Sequence, residues 1–190
     1  MAPLAKNIIT FSWGVFMVVW VLASLFTKRT VYHEPSIRRL GYIIPILFGW
    51  FLVFRGYRLG PSFNVHIIPQ TEATLVAAAI LCLCGLGLSL WARAVLGRNW
   101  SGTVTLKEDH ELIVRGPYRL VRHPIYTGLL AMLLGTWMEQ AHVAGVIGFV
   151  LVFISFWIKL LGEEEVMRKQ FPDQYAAYSE RVKQIIPFVL

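Results

Sequence analysis

Of the 190 residues, 56% are hydrophobic, 14% aromatic and only 15% charged. With a mean hydropathy of +0.59, too little polar surface remains to cover a soluble globule, so the chain belongs in lipid. A formal net charge of +7 would suggest nucleic acid in a soluble domain; here basic loops facing anionic headgroups account for it, and no nucleic-acid partner is expected.

Charge-free stretches locate the membrane segments, because a Lys, Arg or Asp at mid-bilayer costs about 2.5–3.5 kcal/mol on insertion scales. Asn7 to Thr27 is the first. Its apolar core is too long for a signal peptide and no small-residue cleavage site follows, so it is expected to be a retained span. Leu40 to Phe54 is shorter and carries Pro45, which allows a kink. Ala73 to Ala92 is long enough to cross and holds both cysteines, Cys82 and Cys84. They are too close together for ordinary disulfide geometry, and neither a disulfide framework nor a metal cluster is expected. Pro124 to Met138 and Ala141 to Ile158 are separated only by Glu139 and Gln140, which predicts a tight antiparallel helical hairpin. The expected fold is an all-α integral membrane protein with five transmembrane helices. Residues 1–92 would supply the first three, and 93–190 the loop, hairpin and tail that carry chemistry.

The basic residues alternate. Lys28, Arg29, Arg38 and Arg39 follow the first span, and only Arg55 and Arg58 follow the second. The third loop holds Arg93, Arg98, Lys107, Arg115, Arg119 and Arg122, and the turn before the fifth span holds none. The positive-inside rule then places the N-terminus outside, and the C-terminus and third loop in the cytoplasm. The tail from Glu163 to Leu190 is expected to fold, with Pro172 opening a helix whose apolar stripe is Tyr175, Tyr178, Val182 and Ile185.

The topology brings two polar regions to one membrane face: the loop 97–124 and the chain after Lys159. The loop contains Asp109-His110-Glu111-Leu112-Ile113-Val114 and then Gly116-x-Tyr118-x-x-x-Arg122-His123-Pro124-x-Tyr126-x-Gly128; beyond the hairpin come Glu163-Glu164-Glu165, Phe171 and Tyr175. Over about Leu96 to Pro187 this pattern resembles the isoprenylcysteine carboxyl methyltransferase family. The resemblance implies a helical membrane methyltransferase using S-adenosylmethionine, with the cofactor held between the loop and the glutamate motif. Carried onto this chain, it implies a cofactor site of His110, Leu112, Val114, Tyr118, His123, Tyr126 and Glu163, with Glu164 beside it. Lys159 stands where eukaryotic members have an arginine thought to serve the acceptor, and Lys159 and Arg122 are the candidate residues on the reaction side. The acceptor implied is a prenylated cysteine or a similar lipidic small molecule, reached from the membrane lipid.

Residue chemistry agrees with that implication. S-adenosylmethionine presents an aromatic base, a diol, a carboxylate, an ammonium and a sulfonium, and so needs ring faces, an acid, and cations or N–H donors. Tyr118 and Tyr126 offer rings, Glu163 or Glu164 an acceptor, and Arg122 or His123 a partner for the carboxylate. Blander readings stand beside each. Arg122 and Lys159 also fit interfacial anchors, the glutamates a solvated helix face, and Tyr175 and Tyr178 packing. His33, His66 and His142 are read as exposed loop residues with no task. Gly85-x-Gly87 lies inside an apolar span and lacks a third glycine, so a dinucleotide-binding turn is set aside. Phospholipid N-methylation, an NADPH-dependent reductase of the sterol type, and a non-catalytic membrane scaffold are the alternative functions.

Overall fold

A computed structural model of the chain describes every residue except Phe188 and Leu190. In chain order it comprises α1 (Ala2–Ser24), β1 (Thr30–His33), α2 (Ser36–Arg55), α3 (Glu72–Leu96), β2 (Thr105–Lys107), α4 (Pro124–Gln140), α5 (Val143–Gln170) and α6 (Pro172–Arg181), with short 3-10 turns between. Among the described residues four helices, α1, α2, α3 and α5, are long and apolar enough to cross a membrane. Their outward faces are apolar too: Phe11 of α1 is 70% exposed and Leu47 of α2 is 65% exposed, an arrangement suited to lipid. The fifth expected crossing rests on α4, whose 17 residues rise about 26 Å, short of a hydrocarbon core of about 30 Å.

The helices pair through small residues. Gly85 of α3 faces Gly128 of α4 so closely that a Cβ at Gly85 would lie 2.5 Å from the Gly128 carbonyl oxygen, and Gly135 meets Ala78 in the same way. Gly49 of α2 faces Gly148 of α5. Close backbone approach of this kind is how helices gain dispersion contact in lipid, where the hydrophobic effect between them is absent. The α4–α5 hairpin forms as expected, with Ala141 closing α4 in the left-handed conformation at φ 58°. Its two arms do not lean chiefly on each other: α4 lies along α3 and α5 along α2. Between them a core of Ile9, Trp13, Phe16, Cys82, Met132, Leu133, Val152 and Leu160 is closed. Trp13 Nε1 donates to Thr136 Oγ1 at 2.9 Å and pins α1 to α4, since a buried indole N–H needs an acceptor. Cys82 and Cys84 are both free thiols.

Two expectations need correction. The helix of the fifth span runs past the charge-free stretch that ends at Ile158 and continues to Gln170, so the three glutamates expected to begin the tail share a rigid helix with Lys159. Helix propensity explains the extension, because Lys, Leu, Glu, Met and Arg are all good helix formers. The tail stripe is helical only through Arg181; Ile185 is buried by an irregular strand-like segment instead. The all-helical membrane class itself holds, with one short ribbon added to it. Thr30, Tyr32 and His33 pair antiparallel with Lys107, Leu106 and Thr105, in a ribbon too short for a period-two pattern to announce it.

Candidate active site

The ribbon and the α3–α4 connection build the wall of a cavity of about 250 Å³ at the N-terminal end of α4, slightly below the ~300–1,000 Å³ typical of small-molecule sites. Glu34, just after β1, accepts hydrogen bonds from Val104 N at 3.2 Å and from the Tyr42 hydroxyl, tying α2 to the loop. Lys107, counted above as a headgroup-facing charge, is buried and donates to Thr30 Oγ1 at 2.9 Å. Arg93 is likewise inside: it donates to Gly97 O at 2.5 Å and Ala23 O at 2.6 Å, and lies over the Trp100 ring at 4.7 Å. It thus satisfies carbonyls at the ends of two helices that would otherwise lack donors.

The Gly-x-Tyr…Arg-His-Pro stretch takes its shape from local rules. Gly116 has φ 61°, where a side chain is strained, and a Cβ there would press on Val95 at 3.0 Å. Pro124 keeps His123 out of the helical region and opens α4 behind it. The C-terminal segment then clamps the turn: Arg122 N donates to Lys183 O at 2.7 Å, His123 N to Gln184 O at 2.9 Å and Thr127 Oγ1 to Ile185 O at 2.7 Å. Tyr178 adds a hydroxyl bond to Tyr118 O at 2.6 Å.

The two adjacent glutamates have different surroundings. Glu163 faces the cavity, accepting from the Tyr126 hydroxyl at 2.6 Å, with His123 Nδ1 at 3.6 Å and Lys159 Nζ at 3.9 Å. Glu164 is fully buried and does not line the cavity. It receives Arg122 at 2.7 Å, His123 Nε2 at 3.2 Å and Arg168 at 2.9 Å. Arg122 spends its remaining donors on Ser179 O at 3.1 Å and on Val182 O. Arg122 borders the cavity but its charge is neutralised from behind, and with a side chain only 8% exposed it is no headgroup anchor.

Lys159 is buried as well. Its ammonium donates to Gly102 O at 2.6 Å and sits between two rings, 5.3 Å from Tyr126 and 5.6 Å from Tyr42. Cation–π contact and a carbonyl replace the water this charge gave up. On its far side opens a groove of about 890 Å³ bordered by Glu34, Arg38, Tyr42 and Ile158, so Lys159 forms part of the partition between cavity and groove.

Of the other expected site residues, His110, Leu112, Tyr118, His123 and Tyr126 line the cavity. Val114 does not: the wall runs through the consecutive residues His110 to Ile113 and ends there, and Val114 is exposed. Asn99, Glu111, Phe156 and the tyrosines of α6, Tyr175 and Tyr178, also line the cavity and were not among the expected site residues; Glu111 and Tyr175 lie within the motif pattern, and Asn99 is next to Trp100 and Ser101 of the loop. His110 Nδ1 and Asn99 Oδ1 are buried in the wall without a hydrogen-bond partner among the described residues. Desolvation, then the charges of Lys28 and Lys107, hold the His110 imidazole below its ordinary pKa and so neutral. Burial pushes the Tyr118, Tyr175 and Tyr178 phenols up, keeping them protonated donors. Unpartnered polar atoms, ring faces and the carboxylates of Glu111 and Glu163 fit the donor and acceptor set of S-adenosylmethionine.

Comparison with known proteins gives the same region. Residues 73–174 match the family model described as phospholipid methyltransferase. A probable protein-S-isoprenylcysteine O-methyltransferase of Oryza sativa subsp. indica is 29% identical over 113 residues, 58% of this chain and 59% of the relative. The protein-S-isoprenylcysteine O-methyltransferase of Schizosaccharomyces pombe is 33% identical over 132 residues, 68% of this chain and 55% of the relative. Among solved structures, the eukaryotic intramembrane Ras methyltransferase, isoprenylcysteine carboxyl methyltransferase, aligns over 84% of this chain and 55% of its own with a TM-score of 0.59 at 23% identity; this likeness shows the fold. The matches span about half to three-fifths of the length of these relatives. The matched 73–174 segment covers the α3–α4 pair, the Arg-His-Pro turn and the glutamates of α5, and on that ground this multi-pass membrane protein belongs to the phospholipid methyltransferase family.

Proposed function

We propose that the protein is an S-adenosylmethionine-dependent methyltransferase, using the cavity for the cofactor and the groove beyond Lys159 for the acceptor. The observation that carries the reading is the juxtaposition, across one cavity, of the Tyr126–Glu163 pair and the unpartnered His110 and Asn99. Bound S-adenosylmethionine supplies an electrophilic methyl on a sulfonium. Glu163 would accept from the cofactor's ammonium or diol, Tyr118 and Tyr126 would present rings, Leu112 would pack against its apolar parts, and His123 or loop N–H groups would take its carboxylate. Glu164, from behind the wall, and Arg122, at the cavity's edge, would position these groups. In this reading the chemistry resides in residues 93–190, and the site faces the cytoplasm with the N-terminus outside.

The acceptor proposed first is the carboxylate of a prenylated cysteine or a similar lipid-tailed acid, in keeping with the names of the relatives. A carboxylate is already ionised at neutral pH, so no general base is required; alignment and exclusion of water do most of the work. Lys159, in the partition, would face the acceptor from one side. A second reading, phospholipid N-methylation, is favoured by the acidic groups Glu34 and Glu163 on the two sides of that partition, which suit an amine acceptor. Radiolabelled S-adenosylmethionine offered with S-farnesylcysteine or with phosphatidylethanolamine separates them. Base-labile label recovered as methanol identifies a carboxyl ester, and base-stable label in lipid an N-methyl group. Failure to bind S-adenosylmethionine in calorimetric titration, with binding of NADPH in its place, would overturn both.

A further inference from the structure

The end of the bundle opposite the cavity carries a second grouping of chemistry-bearing side chains. There the connection from α2 to α3 crosses the α4–α5 turn. Val143 N donates to Val65 O and Ile67 N to Ala141 O, each at 3.0 Å, and His66 and His142 face each other in an antiparallel bridge. Because both hydrogen bonds belong to the flanking residues, the histidines form the closely spaced, non-hydrogen-bonded kind of pair, with both side chains on one face.

The rings follow the backbone. Their centroids are 4.7 Å apart at 61°, and the Tyr57 ring packs against His142 at 5.1 Å. The turn below is held: Trp137 Nε1 donates to His142 O at 3.0 Å, and Gln70 Nε2 to Met138 O at 3.1 Å. His66 is exposed and therefore reachable from water, whereas His142, expected from the sequence to be solvent-exposed, is half-buried. Its Nδ1 is buried with no hydrogen-bond partner among the described residues. A buried ring nitrogen without a partner is costly, and two adjacent imidazoles offer a donor set that borderline dications prefer and that oxygen-seeking Mg²⁺ and Ca²⁺ do not.

We propose that His66 and His142 form a binding site for a borderline transition-metal dication of the Zn²⁺ class, which clamps the α2–α3 connection to the α4–α5 turn. No cluster of three or more His, Cys, Asp or Glu occurs among the described residues. The pair is thus a two-ligand site whose remaining positions belong to water, an exchangeable site rather than a closed structural one. It lies at the far end of α4 from His110 and His123, so it is independent of the proposed cofactor cavity.

The test is calorimetric titration of Zn²⁺ into the untagged full chain in phosphatidylcholine nanodiscs. One saturable Zn²⁺ per chain is expected, with affinity weakened about tenfold or more in both His66→Ala and His142→Gln and unchanged in His33→Ala. Circular dichroism of each variant verifies the helical fold, and the exposed position of His66 makes its alanine variant the safer of the two. Absence of saturable Zn²⁺ binding to the native chain, or native affinity in the folded His66→Ala protein, would overturn the proposal.

Discussion

Arg122 Nη2 lies 2.7 Å from Glu164 Oε1, with both side chains buried, and through this pair the loop before α4 is locked to the cavity end of α5. The same carboxylate holds His123 and Arg168, so one buried acid fixes the position of three cationic or potentially cationic groups.

Removing that acid should therefore affect folding more than binding. Glu164→Gln leaves the buried Arg122 charge uncompensated, a change that costs about 3–5 kcal/mol. We expect a large fall in thermal stability of the detergent-solubilised protein. The neighbouring Glu163→Gln should retain the native melting temperature and lose S-adenosylmethionine affinity by about tenfold to a hundredfold, the value of one charge-assisted hydrogen bond. Equal melting temperatures for the two variants would contradict the division of roles.

His110 should make stability pH-dependent. Its folded-state pKa is lowered by burial and by Lys28 and Lys107, so the unfolded chain takes up the proton first as pH falls. The contribution of the neutral imidazole is complete above the unfolded value of about 6.5 and is lost as pH falls from there through the lowered folded value. Melting temperatures recorded from neutral to mildly acidic pH should decline less steeply in His110→Gln than in the native protein.

Lys159 separates the cavity from the groove. Lys159→Ala removes the bond to Gly102 O and the charge between the Tyr42 and Tyr126 rings. We expect it to lower kcat/KM for the acceptor more than it weakens cofactor binding, whereas Lys159→Arg should retain activity if the acceptor is a carboxylate. Kinetics at saturating cofactor decide; a native kcat/KM in the alanine variant would reduce Lys159 to a packing role.

Gly128 sets the distance between α3 and α4. A Cβ there would meet the Gly85 carbonyl oxygen at 2.5 Å, contact with backbone that cannot rotate away. Gly128→Val should cost about 1–3 kcal/mol through overpacking and displace the N-terminal turn of α4 that carries Tyr126, so loss of thermal stability should accompany loss of cofactor affinity.

Topology is testable by cysteine labelling. Lys107 is a poor reporter because it is buried; Glu108 beside it and Asn64 at the other end of the bundle are exposed. With the native cysteines replaced, Glu108→Cys and Asn64→Cys should label from opposite sides of the membrane, with Glu108→Cys on the cytoplasmic side.

Membrane character, the positions of the long helices, the hairpin turn and the loop-plus-glutamate pattern were legible in the chain alone, because charge-free length, proline and a dense local motif are properties of neighbouring residues. Partnering is not such a property; it emerges when distant segments meet in the fold. Nothing in Glu163-Glu164 distinguishes two adjacent acids on a helix; a rotation of about 100° per residue turns one toward the cavity and the other toward Arg122. Arg93, Lys107 and Arg122 read as headgroup-facing charges by composition, and the fold buries all three because their acceptors come from distant segments. The β1–β2 ribbon and the His66–His142 bridge depend on strands of a few residues meeting across the chain, where local propensity is too weak to signal a partner and long-range backbone pairing alone sets the register.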